Sequence, residues 1–213
     1  MKPVLRGLSA ILAVVIAAGI SGCGGPVSDE QLFDRAKQVS FSFRAAIAEV
    51  QVELLDGKWE ITGYGDAARR CGDGYAFDLR RDTPPYFRLT DSASTSADLA
   101  AAWLNENGWT DIRLQRYDGE IADVVVHARK VDAEVESLSI DFKPDPDSYD
   151  IITIIATSTC SPGDWTTITD LARPGYPADR ANLETAPAAE HPSAPQSFGY
   201  TPDGKRRFWD ESE

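Results

Sequence analysis

The chain has 213 residues, with 34 Asp and Glu against 21 Lys and Arg and only two histidines. Residues 1–22 hold two of the basic side chains and none of the acidic ones, so the remainder carries 19 against 34, a net −15. Such acidity excludes a phosphate-neutralising nucleic-acid binder and a broad electrostatic hold on anionic lipid.

The N-terminus opens with Lys2 and Arg6 and continues as a 13-residue apolar run from Leu8 to Ile20. A span of a bilayer needs about 20 apolar residues, so the run has the length of a signal h-region instead. It closes on Ile20-Ser21-Gly22-Cys23. These four residues resemble a bacterial lipobox, and the chain resembles a cell-envelope lipoprotein of the actinobacterial type. The resemblance implies removal of residues 1–22 and a diacylglyceryl group on the Cys23 thiol. It also implies a place on the outer face of the cell membrane, held by acyl chains. Each buried methylene contributes about 0.8 kcal/mol to such a hold. Residues 23–28 then form a short tether, reaching under about 20 Å when stretched.

Cys71 and Cys160 remain. In an exported chain an even pair predicts a disulfide, worth about 4–5 kcal/mol for a loop this long in the chain-entropy account. No cofactor is expected, and two histidines are too few for a transition-metal site.

Ser28-Asp29-Glu30-Gln31 predicts a capping box. Leu32, Ala36, Val39, Phe43, Ile47, Val50 and Leu54 follow at gaps of three and four, which predicts one long helix ending at Asp56-Gly57. Phe33, Phe41, Val52 and Leu55 widen its apolar stripe. Trp59 with Ile61, and Tyr75 with Phe77 and Leu79, alternate as two strands. Ser94, Thr95 or Ser96 caps a second helix in which Leu99, Ala102 and Trp103 share a face. Asn107-Gly108 ends that helix and folds Trp109 back. Ile112 and Leu114, Ile121 to Ala128, Leu138 to Phe142, and Ile151 to Ile155 predict four more strands, with Asp118-Gly119 as a hairpin turn. The last strand is β-branched on both faces, which predicts a central position. The fold class is therefore α+β, a largely antiparallel sheet with two helices packed on one face in the order α-β-β-α-β-β-β-β.

This domain spans 29–165. Residues 166–213 are rich in Pro and Ala and read as a mostly disordered tail. Within that tail, Arg206, Arg207, Phe208 and Trp209 form a basic-aromatic patch, a candidate contact for a partner.

Other clusters carry weaker signals. His127 falls mid-strand, with no nucleophile motif around it. Asp141, Asp145, Asp147 and Asp150 crowd one loop but lack the EF-hand spacing and glycine, so they read as a solvated hairpin. Glu53, Asp56 and Glu60, and Asp118, Glu120 and Asp123, are the acidic groups a glycoside hydrolase needs in pairs. Arg69-Arg70 and Arg80-Arg81 read as edge-strand charge. Trp59, Trp103, Trp109 and Trp165 read mainly as core. The functional expectation is a non-enzymatic interaction or sensing module for an envelope protein or wall component. A small-ligand carrier, with a pocket between sheet and helices, and a cell-wall hydrolase are the alternatives.

Overall fold

A computed structural model describes residues 27–117, 123–174 and 187–209. The presumed lipidation site Cys23 and the Asp118-Gly119 turn lie outside these.

Helix α1 runs Asp29–Leu54 behind the expected capping box: Ser28 Oγ accepts from the Gln31 amide, and Gln31 Oε1 accepts from the Ser28 amide. The chain then forms β1 (Trp59–Gly63), β2 (Ala68–Cys71) and β3 (Gly74–Asp82), followed by α2 (Ala93–Glu106). Next come β4 (Thr110–Arg116), β5 (Val124–Lys130), a 3-10 turn at Val131–Ala133, β6 (Val135–Lys143) and β7 (Ile151–Ser158). The last elements are β8 (Ser161–Pro162), α3 (Trp165–Ala172), β9 (Ala189–Glu190), β10 (Ser197–Tyr200) and β11 (Arg206–Phe208).

The main sheet has the order β4-β5-β6-β7-β3-β1-β9 with every pairing antiparallel; β2 and β8 pair with the start of β3. The expected α+β class holds. The register puts Arg81, Ile154, Ile140, Val126 and Leu114 on one row of the inner face. The neighbouring row of the outer face is Arg80, Ile155, Ser139, His127 and Arg113. Strand β7 is central, as predicted, but it is not buried on both faces: Ile155 is 47% exposed. The helices cover one face only, so a β-branched run can sit centrally and still meet solvent.

Helix α1 lays Ala36, Val39, Phe43, Ile47 and Val50 into the core, as its spacing requires. Helix α2 differs from expectation. Its N-cap is Ser92, whose Oγ accepts from the Thr95 amide, and its buried residues are Ala93, Ala97, Ala100 and Leu104. Leu99 is 61% exposed. The alanine stripe wins because small side chains let the helix lie close on β4 and β5, whereas Leu99 and Ala102 fall on its far side. Trp109 does fold back, its amide donating to the Leu104 carbonyl after Gly108 at φ 79°.

Residues beyond 165 correct the sequence reading most. Helix α3 buries Ile168 and Ala172, and β10 buries Ser197, Phe198, Gly199 and Tyr200. Phe198 meets Phe33, Phe41 and Phe77 at centroid distances of 5.4, 6.4 and 5.9 Å. Composition hides this because one aromatic segment joins a core already built elsewhere; it need not fold alone. Gly199 sits at φ 73°, and a Cβ there would run into the Ala172 carbonyl, so only glycine lets the strand close on α3. Helix α3 itself starts at Asp164. Hydrogen bonds from the Thr166 and Thr167 hydroxyls and amides hold its carboxyl down to about 2. That support is complete above about pH 4, the unfolded value, and is lost as pH falls through 2. Asp164→Ala should therefore lower the melting temperature at pH 7, with the difference from wild type shrinking as pH falls from 4 toward 2. An equal difference at pH 7 and near pH 2 contradicts the assignment.

Cys71 and Cys160 form the predicted disulfide, with Cα atoms 5.9 Å apart and a sequence separation of 89. It ties the end of β2 to the chain just before β8, beside the point where α3 begins.

Candidate functional site

Helix α1 is used on three sides. The inner stripe faces the sheet. A flank of Ser40, Arg44 and Gln51 is also buried. The third side carries Gln38, Phe41, Ser42, Ala45, Ala48 and Val52, and this side is left to solvent and to the segment 190–209. Between them lies a groove of about 920 Å³, floored by Phe41 and Ala45 and walled by Pro195, Gln196, Phe208 and Trp209. A second hollow of about 510 Å³ continues along α1 past Ala48 and Val52 to Trp103 of α2, and shares Ala45 and Gln196 with the first. From Phe41 to Val52 the track is about 17 Å long at 1.5 Å per helical residue. Its apolar side chains stand open: Phe208 is 55% exposed, Val52 43% and Trp209 36%.

The four residues of the basic-aromatic patch divide between two jobs. Arg206 faces inward: Nε donates to Ser197 Oγ at 2.9 Å and Nη2 to Tyr64 Oη at 2.7 Å, with Glu190 Oε1 at 3.4 Å. It anchors the segment and is largely withdrawn from solvent. Arg207 lies 4.6 Å from the Trp209 ring centroid and 5.3 Å from that of Phe33. Trp209 donates from Nε1 to the Phe198 carbonyl at 3.3 Å and lies under Lys37 Nζ at 4.2 Å. Phe208 and Trp209 thus present a fixed aromatic wall to the groove.

The remaining sequence candidates take other roles. His127 is a partly exposed residue of the outer sheet face. In the aspartate loop, the carboxylates are used by the loop itself. Asp150 accepts from the Leu89 and Asp145 amides at 2.8 Å each, and Asp145 accepts from the Asp147 and Ser148 amides at 3.0 Å. Burial works to raise the Asp150 carboxyl, but those amides and Arg88 outweigh it and hold it low. Asp141 lies away from them, paired with Lys143 at 2.9 Å. Asp56 meets His191 at 3.1 Å. Asp118 and Glu120 lie outside the described residues, which leaves Asp123 of that group. Among the described residues no group of three or more His, Cys, Asp or Glu is arranged to hold a metal ion.

Trp59 and Trp109 are buried; Trp165 is 37% exposed and stands at the start of α3. Arg80-Arg81 does not mark an edge, since β3 lies inside the sheet. Arg80 pairs with Asp82 on the outer face at 3.0 Å, and Arg81 is buried. Arg69 pairs with Asp78.

Sequence reasoning missed the groove floor. Its signal is a second stripe on α1, Gln38, Phe41, Ala45, Ala48 and Val52, at gaps of three, four, three and four. Phe41 and Val52 read as part of the core stripe because an apolar residue carries no label for which side it faces. Among the described residues no helix is long and apolar enough to cross a membrane. No protein-family model matches the chain, and comparison with curated proteins and with solved structures finds no match either.

Proposed function

We propose that the chain is a membrane-tethered interaction module. A lipid on Cys23 holds it at the outer face of the cell membrane, and the groove along α1 docks an apolar, extended segment of an envelope protein. The observation that carries this is the open aromatic groove beside a filled interior. Phe43, Ile47, Trp59, Phe77, Ile140 and Phe142 beneath the helices are fully buried. A carrier encloses most of its ligand in a cavity of about 300–1,000 Å³. Here the space of that size lies outside α1 and is open along its length, as a docked chain requires. A contiguous apolar surface rimmed by polar residues is the usual mark of a protein contact.

The tether places this groove close to the bilayer. Phe41 stands twelve residues into α1, about 18 Å along its axis, and α1 begins six residues after Cys23. The hydrolase alternative has less support, because among the described residues Glu49 and Glu53 of the continuation both stand on α1, and the groove of about 920 Å³ itself holds one carboxylate. Its acidic lining residue, Glu190, is paired with Arg206.

Two variants test the two halves of the proposal. Cys23→Ser should move the protein from the membrane fraction to the soluble fraction. Phe208→Asp should leave both the membrane fraction and the melting temperature close to wild type, because the ring is exposed. It should reduce recovery of the envelope partner at least tenfold, since a buried charge opposes docking. Unchanged partner recovery contradicts the groove as the docking surface. Unchanged membrane association of Cys23→Ser contradicts the tether.

A further inference from the structure

Three guanidinium groups converge under the segment 190–197. Arg44 of α1, Arg81 of β3 and Arg206 of β11 lie 4.7, 5.8 and 4.9 Å from the ring centroid of Tyr64. The sequence distributes them over 162 residues, so no local motif announces the cluster. Arg44 is 4% exposed and Arg81 7%. Much of their hydrogen-bonding capacity is spent on backbone carbonyls. Arg44 Nη2 donates to the Ser197 carbonyl at 2.8 Å, and Nε to the Ser40 carbonyl at 3.3 Å. Arg81 donates to the carbonyls of Gly63, Tyr64 and Arg80 at 2.5, 3.0 and 2.9 Å. Carbonyls satisfy donors but do not neutralise charge.

Two carboxylates act on the cluster. Glu190 sits against Arg206, and Asp66 attracts both Arg44 and Arg81. Three guanidinium groups thus face two carboxylates, with His191 at the cavity rim turned to Asp56 at 3.1 Å. Burial lowers Arg44 and pushes Arg81 down to about 10; guanidinium groups keep their proton in proteins. A buried charge without a counter-charge is among the costliest arrangements in a protein interior.

Arg44, Arg81, Tyr64, Glu190 and Gln196 line a cavity of about 30 Å³. Two polar atoms of its lining residues are buried with no hydrogen bond, Arg44 Nη1 and Gln196 Oε1. The volume matches the share of one water in the liquid, about 30 Å³. A space of that size suits a single atom or a water better than sulfate, phosphate or a carboxylate.

We propose that this cavity is a binding site for one monovalent, monoatomic anion, chloride in ordinary solution. Arg44 Nη1 donates to it, and Gln196 donates from its amide nitrogen with the side-chain amide turned over. The ion brings the cluster to neutrality and ties α1, β3 and the C-terminal segment at one point. The inference does not rest on the docking groove, although Glu190 and Gln196 also line it.

Thermal unfolding of the full chain at fixed ionic strength, with chloride replacing gluconate, tests the charge balance. The expected result is a melting temperature that rises with chloride and saturates. Gln196→Glu puts a carboxylate at the cavity. It should abolish the chloride dependence and melt in gluconate at the temperature wild type reaches in chloride. Should that variant fail to fold, crystals of the wild type grown in bromide decide. An anomalous peak beside Arg44 Nη1 supports the site. Equal melting temperatures of wild type in both salts, or a water at that position with no anomalous signal, overturn it.

Discussion

Replacing Phe198 by alanine is expected to lower the unfolding free energy by about 3–5 kcal/mol, the range for truncating a buried phenylalanine. A domain of this size has about 5–15 kcal/mol in total, so the variant should sit close to the edge of folding. The ring is fully buried and touches Phe33 and Phe41 of α1 and Phe77 of β3. It is a joint between the first helix and the sheet, contributed by a residue far away in sequence. Deleting residues 187–213 should be more damaging still, because Tyr200 and the Arg206 anchor leave with it. Denaturant unfolding followed by circular dichroism measures both. A cooperative transition at the wild-type midpoint for the deletion would show that the segment is an appendage.

Removing the Cys71–Cys160 disulfide is the second large effect. The bond closes a loop of 89 residues, which the chain-entropy account values at about 4–5 kcal/mol. At roughly 2–4 °C per kcal/mol for a chain of this length, the melting temperature should fall by about 8–20 °C on reduction. The Cys71→Ala, Cys160→Ala variant should melt where the reduced wild type does, and reductant should not affect it. Reduced and oxidised protein melting together would mean that the linked segments are held equally well without the bond.

The elements legible in the sequence are those whose periodicity is undivided. Helix α1 can be read from Leu32 to Leu54 because its core stripe is continuous, whatever its other sides carry, and Ser28 with Gln31 caps it. Strand β6 can be read because Leu138, Ile140 and Phe142 alternate with polar residues, and β5 and β7 because their runs are β-branched. Helix α2 misleads, since alanine is neutral in such patterns and Leu99 draws the eye to the wrong side. The short strands β2, β8 and β9 offer two to four residues each, too few for any period.

The C-terminal segment fails for a different reason. Phe198 and Tyr200 stand among Pro, Ser and Gly, and only a partner surface made by α1, β3 and α3 gives them a place. Of the candidate site, Phe208 and Trp209 were legible as aromatics beside charges. Their neighbour Arg206 was not, because a surface arginine and a buried anchoring arginine look alike in sequence. The disulfide needed no pattern beyond an even count and the expectation of export.

The most direct test of the proposed docking surface is site-specific photo-crosslinking in intact cells. A photoreactive residue is placed at Ala45 on the groove floor, at Phe208 on its wall, and at Ser139 on the outer sheet face. The proposal predicts one and the same envelope-protein adduct from positions 45 and 208 and none from 139. Phe208→Asp should suppress the adduct formed from position 45. An adduct formed equally from all three positions, or only from 139, would contradict a partner seated along α1.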